Sequence, residues 1–106
     1  MSTTGTSTGQ PPLSLAQVSK LLSDPTRWKL LRVMSKGEMV PLPELAKRVG
    51  CSTDSLFKHL MVLCKSGVAV QRYRGLYVMA PSFLPAAGAT TIDLGYCVMR
   101  LDTPLE

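Results

Sequence analysis

The sequence predicts an α+β fold of about four helices, a two-stranded hairpin and one more strand near the C-terminus. Three observations predict it. Helical apolar spacing recurs four times between Ser14 and Lys65, and Gly37, Gly50 and Gly67 close three of those stretches. Two runs rich in β-branched and aromatic residues follow, Val68 to Tyr73 and Leu76 to Ala80, with only Arg74-Gly75 between them. From Thr91 to Leu101, Ile92, Leu94, Tyr96 and Val98 alternate with Asp93, Gly95, Cys97 and Met99, the period of a half-buried strand.

Each element has a local reason to form. Ser14 and Gln17 have capping-box spacing, so each side chain can satisfy a free backbone N–H near the start of the first helix. Leu15, Val18 and Leu22 then share a face, with Leu21 beside them. Asp24 caps the second helix, and Pro25 loses no hydrogen bond at its first position. Leu30, Leu31 and Met34 form its buried side, leaving Arg27, Lys29, Arg32 and Lys36 to solvent. Pro43 opens a short third helix with Leu42, Leu45, Ala46 and Val49 inward. Ser52 caps the fourth helix, over 52–65, where Leu56, Phe57, Leu60, Leu63 and Cys64 form the buried stripe. Pro81 breaks the strand pattern, and PSFLPAAGAT reads as a loop. The expected organisation is a disordered tail over 1–12, one domain over 13–80, and a loop and strand over 81–106 packed on that domain.

Charge narrows the partner. The 106 residues carry a formal net charge of +5, and its distribution is uneven. From Arg27 to Arg74, ten Lys/Arg residues face only Glu38, Glu44 and Asp54; beyond Gly75, Arg100 stands alone against Asp93, Asp102 and Glu106. The basic excess therefore coincides with the paired helices and the hairpin, as an anionic partner requires. No apolar run is long enough to span a membrane, and the Ser/Thr/Gly-rich start has no basic and apolar leader. Three scattered cysteines argue against a disulfide framework and fit a reducing cytoplasm.

Duplex DNA fits this layout. A helix held by a buried stripe, with short polar residues at its start, can enter the major groove. Ser52, Thr53 and Ser55 can donate to phosphates or base edges, while Lys58 and, with less force, His59 can reach a guanine edge or a phosphate. Asp54 would repel phosphate, so it accepts from a cytosine amine or supports the helix start. At the hairpin tip, Arg72 and Arg74 can lie along phosphates or in the minor groove, with Tyr73 between them. The competing readings are a solvated helix face and an edge kept soluble by charge.

Other chemistry has little support. Cys51, Cys64 and Cys97 lack the close pairing of a zinc site, and no cofactor motif occurs. Cys51 precedes a helix start, a place that can activate a thiol, so a redox switch beside DNA is a further reading. No Gly-rich phosphate loop or paired-carboxylate spacing suggests an enzyme, and His59 lies mid-helix without an evident catalytic partner.

The stretch from Leu22 to Ala80 resembles the winged-helix fold of ArsR-type bacterial transcriptional regulators. Asp24-Pro25-Thr26-Arg27, Glu44-Leu45-Ala46, His59-Leu60 with Leu63, and Ser66-Gly67-Val68 carry the resemblance. It implies a homodimer on a partly palindromic operator, bound through the fourth helix and the wing. The leading reading is a cytoplasmic dimeric repressor that most simply acts by occluding a promoter. Many metal-sensing members have two cysteines at the start of the third helix; here Glu38 to Leu42 contains no thiol or imidazole. The family's fifth, dimer-building helix is replaced by Pro81, Pro85, Gly88, Gly95 and a strand pattern. The first helix or strand 91–101 must then carry the dimer contact. The rival reading is a winged helix that docks on protein and does not bind DNA, favoured by Asp54, the acidic tail and the apolar strand.

Overall fold

A computed structural model describes residues 12–104. The tail expected over 1–12 lies, apart from Pro12, outside the described residues. Helix α1 spans Leu15–Leu22, and its capping box forms as the sequence predicts: Ser14 Oγ accepts from the Gln17 amide at 3.1 Å, and Gln17 Oε1 accepts from the Ser14 amide at 2.9 Å. Helix α2 spans Pro25–Met34, and Asp24 Oδ1 accepts from the Thr26 amide at 2.7 Å. That bond holds the Asp24 carboxyl below its ordinary range. The cap is therefore complete at neutral pH and fades only as pH falls through the lowered value.

Strand β1 (Val40–Pro41), helix α3 (Leu42–Val49) and helix α4 (Thr53–Lys65) follow. Helix α4 ends in a Schellman turn: the Gly67 amide donates to Cys64 O at 3.1 Å and the Val68 amide to Leu63 O at 3.0 Å. Gly67 has φ +85°, which a side chain would strain. Val68 and Leu63 are both buried, so this turn fixes how the chain leaves α4 for strand β2 (Ala69–Arg72). Strand β3 (Leu76–Met79) pairs antiparallel with β2 and with β1, giving the order β1-β3-β2.

Leu30, Leu31 and Met34 of α2, Leu45, Ala46 and Val49 of α3, and Leu56, Leu60 and Leu63 of α4 are buried in one core. Ser52 Oγ accepts from the Ser55 amide at 3.2 Å and so caps α4. Ser52→Ala is expected to lower stability by about 1 kcal/mol, measured by urea melt; an unchanged midpoint would mean that water replaces the cap.

Several expectations need correction. The tip is a three-residue turn, because the register pairs Arg72 with Leu76 and leaves Tyr73, Arg74 and Gly75 between them. Tyr73 itself takes a positive φ of 52°, a strained conformation for a large side chain. Residues 91–101 are not one strand but a second hairpin, of β4 (Thr91–Asp93) and β5 (Val98–Arg100). Asp93 Oδ1 accepts from the Gly95 amide at 2.8 Å and turns the chain, so Ile92, Leu94 and Met99 point inward while Tyr96 and Val98 are exposed. Leu15 and Phe57 are also exposed, because the buried faces centre on Val18 and Leu21 and on Leu56, Leu60 and Leu63. Within the expected loop, Pro81–Phe83 makes a 3₁₀ turn that buries Phe83. Arg32 is not a plain solvent residue: its Nη2 donates to Arg100 O at 3.3 Å and to Thr103 Oγ1 at 2.8 Å, tying α2 to the C-terminal hairpin.

Candidate nucleic-acid interface

The α3–α4 turn is built from backbone. Gly50 takes φ +90°, and the Gly50 and Cys51 amides both donate to Ala46 O, at 2.8 and 3.0 Å. The chain thus reverses in three residues and presents the start of α4 outward. Ser52, Thr53 and Asp54 are exposed there, Ser55 is half-buried, and Lys58 is exposed on the side away from Leu56 and Leu60. Asp54 sits in the first turn, where its charge favours the helix dipole. That supplies the second of its two expected roles.

Arg72, Tyr73 and Arg74 are all exposed at the wing tip. Among the described residues the ion pairs are Arg48 with Glu38 at 2.9 Å, Arg48 with Glu44 at 3.0 Å, and Arg100 with Asp102 at 3.3 Å. Lys58, Arg72 and Arg74 take part in none of these, so their charges are available to phosphate. Arg48 is different. Its hydrogen bonds to Glu38 and Glu44 raise its pKa above the ordinary value and take up its guanidinium. Among the described residues it is therefore the one member of the basic excess from Arg27 to Arg74 already neutralised by carboxylates.

His59 is turned further inward than its sequence position suggests. It is half-buried, and its Nδ1 lies 2.9 Å from Arg27 Nη1. Arginine has donors only, so this contact is a hydrogen bond when Nδ1 carries no proton. Arg27 also donates through Nε and Nη2 to Lys20 O, at 3.0 and 2.7 Å, and through Nη2 to Ser23 Oγ at 2.9 Å. Arg27 is thus not a solvent residue either; it closes the last carbonyls of α1 and reaches α4. Sequence reading missed this pairing because the two residues are 32 positions apart.

Nor did it place Lys20 and Lys65 beside Lys58. A groove of about 220 Å³ between α1 and α4 is lined by Gln17, Lys20, Lys58, Met61, Lys65 and Ser66, among others. Lys58 and Lys65 are seven residues apart, two helical turns, so the spacing that aligns them was legible.

Cys51, Cys64 and Cys97 are free and half-buried. Cys51 and Cys64 pack partly against the core, and burial raises the Cys64 thiol pKa, keeping it protonated.

No family model matches the chain. Curated relatives do. HTH-type transcriptional regulator CmtR of Mycobacterium bovis and that of Mycobacterium tuberculosis are each 30% identical over 93 residues, covering 85% of this chain and 75% of the relative. The chain belongs to the ArsR family of winged-helix transcriptional regulators. The NMR structure of the cadmium metal-sensor CMTR from Mycobacterium tuberculosis superposes with a TM-score of 0.56 at 28% identity, covering 85% of this chain and 95% of that one. As an ArsR-family member this protein is a DNA-binding transcriptional regulator, and the docking-only reading is set aside.

The solved relative senses cadmium, and the residues present here do not fit such a centre. Among the described residues, no group of three or more His, Cys, Asp or Glu side chains is placed to hold a metal ion. Cys51, Cys64 and Cys97 lie on the α3–α4 turn, on α4 and beside β5. Among the described residues, no helix is long and apolar enough to cross a membrane.

Proposed function

We propose that this ArsR-family regulator acts in the cytoplasm as a homodimeric repressor that occludes a promoter. The first turns of α4 enter the major groove. Ser52, Thr53 and Ser55 donate to phosphates or base edges, and Lys58 reaches a guanine edge or a phosphate. Arg72 and Arg74 hold the flanking backbone. His59 has only its Nε2 side left for DNA, because Arg27 takes up its Nδ1. Cadmium is not carried across from the relative, since the thiols are scattered. The observation that carries the reading is the exposure of Lys58, Arg72 and Arg74, without ion pairs among the described residues, around a capped helix start.

Fluorescence anisotropy against genomic promoter fragments tests it. Binding should weaken steeply with salt, because each neutralised phosphate releases condensed counterions. Retention on heparin only at very low salt, with no duplex selected, would contradict it.

The dimer interface is proposed to use the exposed Leu15 of α1 and Tyr96 and Val98 of the C-terminal hairpin. These are 59%, 51% and 58% exposed in the single chain. Leu15→Asp with Val98→Asp is expected to shift sedimentation from dimer to monomer while leaving the helical circular dichroism unchanged. A dimer that survives both changes would place the interface elsewhere.

A further inference from the structure

The geometry points to Arg27 and His59 as positioning residues for operator binding: a clamp that holds α4 against the α1–α2 corner only while His59 is uncharged. This rests on the reading that α4 enters DNA. The Arg27 guanidinium is anchored on one side to Lys20 O, Leu21 O and Ser23 Oγ, all at the end of α1. Its remaining nitrogen, Nη1, meets His59 Nδ1 at 2.9 Å, one residue from Lys58. A guanidinium offers donors only, so the imidazole is the partner whose role in this pairing can change. A proton on Nδ1 replaces the acceptor with a donor and sets two cations against each other.

The charged surroundings are few. From the α1–α2 corner, Asp24 lies close enough for its carboxylate to feel both His59 and Arg27. Its lowered pKa keeps it ionised through the range in which an imidazole titrates. From α1, Lys20 contributes its carbonyl to the clamp and lines the groove that Lys58 also lines. From α3, Arg48 is held by Glu38 and Glu44. From β2, Arg72 lies at the far end of the strand, in the wing. His59 is the only histidine in the chain, so one group reports the effect.

The sign of the effect separates this clamp from ordinary electrostatics. A free surface histidine that gains charge near DNA strengthens binding as pH falls. The clamp predicts the reverse. Anisotropy with a duplex selected by the protein from a random library, at fixed salt, should show affinity falling about tenfold between pH 7.5 and pH 5.5, the scale of one charge-assisted hydrogen bond. His59→Asn keeps an acceptor near the Nδ1 position and does not titrate. It should bind within about threefold of the natural protein at pH 7.5 and lose that acid sensitivity. His59→Gln places its amide near Nε2 instead, and should be weaker at pH 7.5.

Affinity that rises or stays level on acidification would overturn the clamp while leaving the DNA reading intact. Absence of duplex binding at every pH would overturn the DNA reading. The clamp is then judged by the imidazole ¹⁵N resonances of the free protein at pH 8. An unprotonated Nδ1 and a protonated Nε2 support it, and the opposite tautomer overturns it.

Discussion

Leu60→Ala is expected to destabilise the protein by about 3 kcal/mol, the usual cost of a large cavity in a packed core. Leu60 has no exposed surface and sits mid-way along α4, which packs on α2, α3 and β2. A domain of this size has about 5–15 kcal/mol in total, so the loss is a large share of its stability. The melting temperature should fall by about 15 °C. Phe57, three residues earlier, is a built-in contrast. It is 44% exposed, and Phe57→Ala should cost about 1 kcal/mol because much of its area never leaves water. Thermal and urea melts of the two variants decide the matter. A Leu60→Ala loss no larger than that of Phe57→Ala would mean that the core face of α4 is wrongly placed.

Lys58→Ala, Arg72→Ala and Arg74→Ala combined should cut operator affinity at least about 100-fold, since three phosphate or base interactions of about 1 kcal/mol each are removed. The slope of log affinity against log salt should become shallower by about 2.7, at roughly 0.9 for each phosphate no longer neutralised. Stability should stay within about 0.5 kcal/mol, because these side chains are exposed and, among the described residues, form no ion pair. Anisotropy over a salt series, together with a urea melt, checks all three parts. An unchanged slope with weaker binding would point to an indirect effect on the fold.

Locally encoded features were legible in the sequence. The Ser14–Gln17 box, the Asp24-Pro25 start and the Ser52 cap depend on residues within three positions of one another, and all three form. Helical period placed Leu30, Leu31 and Met34, and Leu56, Leu60 and Leu63, on buried faces. Failures occurred where the deciding neighbour lies outside the local window. Alternation through 91–101 cannot register a reversal, so Tyr96 and Val98 were placed on the wrong side of a turn made by Asp93 and Gly95. Strand β1 has two residues, one of them Pro41, and exists only because β3 lies beside it. Phe57 and Leu15 lie at the edges of their stripes, where neighbouring elements, and not period, decide exposure.

The candidate interface divides in the same way. The polar helix start and the arginine-bearing tip are contiguous in sequence and were readable there. The tip's true length depends on the Arg72–Leu76 register, and the clamp joins residues of two different helices. ArsR-family membership accounts for the order of elements, while the absence of a suitable thiol cluster among the described residues separates this chain from its cadmium-sensing relative.

The most direct test of DNA reading by α4 and the wing is a titration of ¹⁵N-labelled protein with a duplex that the protein itself has selected from a random library, followed by amide chemical-shift mapping. The largest changes are expected on residues 52–58 and 71–75, with the C-terminal hairpin over 91–100 little affected. Changes concentrated on that hairpin, with the start of α4 and the wing tip unmoved, would contradict it.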